Sequence, residues 1–331
     1  MPTPKRTARA AIALASTLLL SACGSQPAAT EEQEAPTDGY PVTVENCGAE
    51  VTFDAAPEQL VLLKSASVPA LHELGVLDRA VARAGAFPEE YFDDATLAEL
   101  ENIPQLASDV DATGHLQISK DVVIAQQPDV VFGEVENLPR QSLSQVDISM
   151  LEEPALCATD PDTQPDFEGV YDQLELYGQV FDKREEAETY IQELEQRVAA
   201  AESKADEDEE RTAAVLYPTV GGGTTYAYGS GSMAHPQLKA AGFTNVFENT
   251  SERVFEVSSE QLLGMDPDII ILLHSEGDPD HVDAALRDLP GAGDLQAVQN
   301  EEVMTQLLNF SEPATPLSIT GLERIVERFH P

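Results

Sequence analysis

The 331 residues include 60 acidic and 18 basic side chains, giving a formal net charge of −42. So large a negative excess repels nucleic acid and anionic lipid headgroups, which argues against any role in binding polyanions. Hydrophobic residues make up 42% of the chain, enough for a folded protein, and the length exceeds what one small core organises and fits two domains.

The chain opens on Lys5, Arg6 and Arg9, followed by the apolar stretch Ala10 to Leu20 and then Leu20-Ser21-Ala22-Cys23. This order predicts a secretion signal over residues 1–23. Eleven residues rise only about 16 Å as a helix, roughly half of a bilayer core, so the stretch is too short for a stable span. Leu20 to Cys23 resembles a lipobox. That resemblance implies cleavage before Cys23, a diacylglycerol thioether on its sulfur and an extracytoplasmic protein lipid-anchored at the cell membrane; an ordinary signal with an incidental cysteine is the alternative. Loss of the leader removes three basic residues and no acidic one, taking the net charge to −45. Residues 24–39 carry Ala, Glu, Thr, Gln and Pro without apolar periodicity and read as a disordered tether.

Beyond the tether, short apolar runs alternate with helical patterns, the mark of α/β architecture. The runs are Val61 to Leu63, Val122 to Ile124 with Val130 to Phe132, Ala213 to Tyr217 and Ile269 to Leu273. The last is apolar at every position, as a parallel strand covered on both faces should be. Two internal echoes follow. Ser119-Lys120-Asp121 precedes Pro128-Asp129-Val130-Val131-Phe132 by the same spacing at which Ser258-Ser259-Glu260 precedes Pro267-Asp268-Ile269-Ile270-Ile271. Each predicts a Ser-capped short helix, a Pro-Asp turn and a buried strand. Pro69 to Gly75 likewise matches Pro236 to Gly242, a helix with Pro in its first turn, stopped at Gly. From Arg184 to about Lys204, Ala187, Ile191, Leu194 and Val198 recur at three- and four-residue spacing, predicting one helix of about 30 Å. The expected architecture is two Rossmann-like lobes with mainly parallel central sheets joined by one long α-helix: residues 40–166, a connecting helical segment 167–206, and residues 207–331. With Cys23 assigned to lipid, Cys47 and Cys157 form an even pair in an oxidising compartment and predict a disulfide; two separate buried thiols are the alternative.

Lipobox, tether, α/β lobe, connecting helix and second lobe together resemble the substrate-binding lipoproteins of ABC importers for iron-siderophores, cobalamin and haem. Val61 to Gly75, Ile118 to Phe132, Gly178 to Val198 and Tyr226 to Leu273 carry the resemblance, with Tyr228-Gly229-Ser230-Gly231-Ser232 and Ala241-Gly242-Phe243-Thr244-Asn245-Val246 inside the last. It implies rigid lobes with little closure, a ligand cleft between them, no cofactor, no catalysis, and a monomer that touches the membrane only through its lipid. The implied partners are a small-molecule metal chelate and an ABC permease with its ATPase. Pro69 and Pro236 stand where the family usually has a docking Glu; Glu73 lies one turn on in the first lobe and Lys239 in the second, so docking residues do not transfer.

Ligands of α/β lobes meet the loops at the carboxyl ends of the strands. That rule selects Lys64, Ser65 and Ser67, then Glu134, Glu136, Asn137 and Arg140, then Tyr217, Tyr226 and Tyr228, then His274 and Glu276, and finally Asn309 and Phe310. Phe87 and Tyr91 would supply an aromatic wall. Lys64 and Arg140 are scarce cations that would meet a negatively charged chelate, or else pair with surface carboxylates. The tyrosines would stack on a ligand, although Tyr217 at a strand end also reads as core. His274 is a metal ligand or, more simply, a polar residue at the sheet edge.

Rival functions lack their motifs. There is no Gly-x-Ser-x-Gly elbow and no His-Glu-x-x-His pair. The six histidines sit on scattered elements, which speaks against a naked-metal site and for metal held inside a chelator. Cobalamin, haem or another large cofactor are the alternative ligands, and a non-transport surface lipoprotein the alternative role.

Overall fold

A computed structural model describes residues 39–108, 116–157, 164–205, 211–275 and 277–330. The leader, Cys23, nearly all of the tether and Glu276 lie outside the described residues.

The first lobe opens with an antiparallel hairpin, β1 (Val42–Asn46) and β2 (Ala49–Phe53). In chain order there follow β3 (Leu60–Leu62), α1 (Val68–Glu73), β4 (Ala80–Ala84), α2 (Asp94–Leu100), β5 (Gln105–Ala107), α3 (Lys120–Ile124), β6 (Val130–Phe132), α4 (Arg140–Ser144) and β7 (Ser149–Leu151). The strands form one five-stranded parallel sheet in the order β5-β4-β3-β6-β7. Strands β3 and β6 are apolar at every position because both faces are covered. Leu60, Leu62, Val130 and Phe132 enter one buried cluster with α1, while Val61, Leu63 and Val131 enter another with α3 and α4.

Two helices follow the first lobe: α5 (Glu168–Val180) and α6 (Arg184–Glu202). The second of them, α6, is the expected single connecting helix, since α5 packs on the first lobe and α6 runs on to the second. The chain reverses within Phe181 to Lys183, where Asp182 takes φ +55°. Gly178 allows the close approach: a Cβ there would lie 2.7 Å from that of Ala187. α5 belongs to the first lobe, with the Tyr40 hydroxyl donating to the Val180 carbonyl at 2.7 Å. α6 buries Ala187, Tyr190, Leu194, Val198 and Ala201, one stripe of a 3.6-residue period.

The second lobe comprises β8 (Arg211–Pro218), β9 (Thr225–Tyr228), α7 (Ala234–Ala240), β10 (Phe243–Asn245), β11 (Val254–Val257), α8 (Ser259–Met265), β12 (Ile269–His274), α9 (Pro279–Arg287), α10 (Gln296–Gln299), β13 (Val303–Leu307) and α11 (Pro316–Phe329). Its sheet runs β11-β9-β8-β12-β13, with β10 also on β8. β8, β10, β12 and β13 are parallel, whereas β9 is antiparallel to both β8 and β11. Ile269, Ile271 and Leu273 face α7 and α11; Ile270 and Leu272 face the α8–α10 side. Arg197 of α6 grips Glu323 of α11 through Nε at 2.9 Å and Nη2 at 2.7 Å, and Thr320 at 2.9 Å. One apolar cluster thus runs from the first lobe through the helical pair into the second.

The internal echoes have a structural cause. Ser119 and Ser258 each cap a helix by accepting a backbone N–H, Ser258 within a full capping box with Gln261. The following aspartates tie down the start of the neighbouring central strand: Asp129 accepts from Glu58 N and Gln59 N, and Asp268 from Thr212 N and Oγ1. Gly75 at φ +65° and Gly242 at φ +78° end α1 and α7, a backbone state other residues adopt at a cost.

Candidate functional site

A cavity of about 530 Å³ lies between the lobes and is lined from both. The first lobe supplies strand-end loops: Leu63 to Ala66 after β3, Gly85 and Ala86 after β4, and Glu134 to Glu136 after β6. The second supplies Arg253, Leu308, Asn309, Glu312 and Pro313, all but Arg253 following β13.

On the first-lobe side the wall is organised around Glu152, only 2% exposed. Its Oε2 accepts from Lys64 Nζ at 2.6 Å and from the Glu134 N–H at 2.6 Å, and its Oε1 from the Glu153 N–H at 2.7 Å. Its backbone is held in turn by Asn46: Oδ1 accepts from Glu152 N at 2.9 Å and Nδ2 donates to Glu152 O at 2.8 Å. Arg140 donates to Asn46 Oδ1 at 2.6 Å and to the Met150 carbonyl. A disulfide joins Cys47, in the β1–β2 turn, to Cys157, with Cα atoms 5.1 Å apart, and so ties the hairpin to the loop that carries Leu156 into the cavity. Gly133, at φ +93°, lets the Lys64 stem cross it; a Cβ there would lie 2.8 Å from Lys64 Cγ.

Glu153, behind Glu152, is fully buried and its carboxyl is pushed up to about 8 by desolvation and then by the charge of Glu152; the Tyr177 hydroxyl, donating at 2.9 Å, opposes the shift only in part.

The second-lobe wall repeats the device. Arg253 Nη1 pairs at 3.1 Å with Glu312, itself 2% exposed, whose other oxygen accepts from Met233 N at 2.7 Å. Burial raises the Glu312 carboxyl above its ordinary value, against the pull of Arg253.

Of the residues selected from sequence, Lys64, Ser65 and Glu134 line the cavity, with Glu136 and Asn309. Lys64 is engaged by Glu152 rather than held open, since a buried carboxylate lies within reach of its ammonium. Arg140 is structural, its guanidinium spent on Asn46 and Met150. Phe87, Tyr91 and Phe310 are not among the residues that line this cavity. Tyr91 and Phe310 pack edge to face at 5.1 Å across the lobes, and the Tyr91 hydroxyl accepts from Asn309 N at 2.9 Å. Phe87 lies under the Arg83 guanidinium at 5.1 Å. Tyr217 shares a hydrogen bond with Ser275 at 3.1 Å, Tyr226 sits beside Tyr217 in the β8–β9 ladder, Tyr228 is core, and His274 is buried at the end of β12. Ser67 is buried at the head of α1, and Asn137 donates to the Ile118 carbonyl. Among the described residues no cluster of His, Cys, Asp and Glu is arranged to hold a metal ion, and no helix is long and apolar enough to cross a membrane.

Sequence reading missed Glu152, Asn46, Arg253 and Glu312. Glu152 follows a strand end and falls under the same rule as Lys64, but β7 is three residues long and gives little apolar signal. Arg253 precedes a strand, where the rule does not look.

The periplasmic binding protein family model matches residues 60–306. This chain is a periplasmic binding protein. No curated protein matches it. Among solved structures, the binding protein is 51% identical to one described as an ABC-type Fe3+-hydroxamate transport system from Saccharomonospora viridis, with a TM-score of 0.83 over 88% of this chain and 100% of that one. A periplasmic haem-binding protein of Vibrio cholerae is 17% identical, with a TM-score of 0.63 over 82% of this chain and 99% of that one. A periplasmic vitamin B12-binding protein of the same organism is 18% identical, with a TM-score of 0.59 over 82% and 96%. The last two share the fold. The family binds solutes rather than transforming them and works outside the cytoplasm.

Proposed function

We propose that this binding protein is anchored to the membrane by a lipid on Cys23, takes an iron(III) hydroxamate chelate into the inter-lobe cavity and delivers it to an ABC permease. The observation that carries the ligand class is a mixed apolar and polar cavity, about 530 Å³ between two lobes, in a chain 51% identical to a structure described as belonging to Fe3+-hydroxamate transport. The lipid anchor is supported by the Leu20-Ser21-Ala22-Cys23 motif behind a charged and apolar leader. Metal inside a chelator asks the protein for shape and a few donors, which this wall supplies.

A thermal-shift panel tests the reading: a ferric trihydroxamate, a ferric tricatecholate, ferric citrate, cobalamin and haem, each against the leaderless protein. At a hundredfold excess over its dissociation constant the true ligand adds about 2.7 kcal/mol, which raises Tm by about 5 °C in a chain of this size. The ferric trihydroxamate is expected to do so. A shift with manganese or zinc salts alone would overturn the chelate reading. Radiolabelled palmitate incorporated into the wild type and lost in Cys23→Ala tests the anchor.

A further inference from the structure

Resting on that chelate reading, we propose that the cavity selects its chelates by charge, admitting cationic and neutral iron(III) complexes and rejecting anionic ones, with Glu134 as the carboxylate that meets a cationic arm.

The wall carries two cations, Lys64 and Arg253, one from each lobe. Each is already bonded to a carboxylate that is 2% exposed, Glu152 and Glu312 respectively. Neither glutamate can turn to water if its cation leaves: Glu152 is pinned by two backbone N–H groups and Glu312 by Met233 N. Drawing Lys64 or Arg253 toward an anionic ligand therefore strands a buried negative charge, and breaking such a pair costs more than a partly exposed contact returns.

The rest of the wall adds no positive charge. Glu134 and Glu136 bring two further carboxylates, so that three lining carboxylates face two lining cations, with Glu152 behind. Glu134 is oriented: one oxygen accepts the Arg140 backbone N–H at 3.1 Å and its own N–H is held by Glu152. The remaining surface is largely aliphatic, from Leu63, Leu116, Leu156 and Leu308. Such a surface suits the methylene chains of a hydroxamate and offers nothing to several negative charges. The net charge of −42 extends the same bias outward, since field lines converge in a cleft between low-dielectric walls.

The test holds the coordination chemistry constant and varies one terminal group. A linear ferric trihydroxamate ending in a primary amine, its N-acetyl derivative and its N-succinyl derivative carry one iron sphere and differ stepwise in charge. Isothermal titration of each at low salt is expected to give the tightest binding for the amine form and the weakest for the succinyl form, about tenfold per unit charge. The spread should shrink near 0.5 M salt, where the Debye length falls to about 4 Å. Glu134→Gln, which keeps an acceptor for the Arg140 N–H, is expected to narrow the gap between the amine and succinyl forms. Glu152→Gln, which releases Lys64, is expected to tighten the succinyl form. Equal affinities for all three chelates, or tightest binding of the succinyl form, would overturn charge selection and leave the chelate reading standing. No binding by any of the three would overturn both.

Discussion

Glu153 lies behind the cavity wall with its carboxyl pushed up to about 8, against an ordinary value of 4.5, because burial and the neighbouring Glu152 oppose its charge. The unfolded chain loses this proton near 4.5 and the folded chain near 8. Between those values the unfolded state binds fewer protons, so this group lowers stability as pH rises through the window and adds no further slope above about 8. Glu153→Gln removes the effect while keeping an acceptor for Tyr177. Its melting temperature relative to the parent is expected to climb between pH 5 and pH 8, by no more than about 1.4 kcal/mol per pH unit, and a pH-independent difference would contradict the assignment. Glu152 behaves differently, because it answers Lys64 and two N–H groups at once. Glu152→Leu leaves all three unanswered and is expected to cost about 3 to 5 kcal/mol, read as a fall in Tm of about 10 °C. At this scale Lys64, Ser65 and Glu134 were legible because each follows a wholly apolar strand. Tyr91 and Phe310 meet across the lobes, a contact not legible in sequence because a ring in a cleft loop has the same signature whether it meets a ligand or the opposite lobe.

Helix α11 shows how an element can be set by one missing side chain. A Cβ on Gly321 would lie 1.7 Å from the Phe310 carbonyl oxygen, so the helix and the turn that presents Asn309 would have to part. Gly321→Ala is expected to lose about 2 to 3 kcal/mol and to weaken ligand binding with it, as thermal melts and titration would reveal. Gly264, inside α8, is the control: a Cβ there meets no atom within 4 Å, and Gly264→Ala is expected to gain about 0.5 to 1 kcal/mol. The disulfide joins residues separated by 110 positions, and replacing both cysteines by serine should cost about 4 to 5 kcal/mol in the chain-entropy model, measured as a shift in the urea midpoint. The repeated capped helices were legible because a Ser cap, a Pro-Asp turn and an apolar strand each leave a local mark. The connecting helix α6 was legible from its apolar stripe, whereas the chain reversal at Phe181 to Lys183 that divides it from α5 left no local mark.

At the scale of the whole molecule, the lobes already touch beside the cavity. Tyr91 seats against Phe310, and Asn309 Nδ2 donates to Ser65 Oγ at 3.0 Å. Helix α5 is fixed to the first lobe by the Tyr40 bond to Val180, and the connecting helix α6 to the second by the Arg197 grip on Glu323. Closure of a hinged pair needs a few residues free to change φ and ψ, and these contacts hold α5 and α6 against the lobes on either side. Small-angle scattering is therefore expected to give one radius of gyration with and without saturating ligand, and a clear contraction on loading would argue for a hinge. The two-lobed plan was legible from sequence because the same short pattern occurs twice in the same order; the contacts that brace the lobes were not, because they join residues as far apart as Ser65 and Asn309.

The bridge between Cys47 and Cys157 has a practical corollary. From residue 40 onward both sulfurs are consumed by it, so a cysteine introduced at Glu136, on the cavity rim, would be the sole thiol open to maleimide. A solvent-sensitive dye attached there would turn arrival of the cargo into an optical signal, making the molecule a reagentless sensor for whatever iron complex it carries.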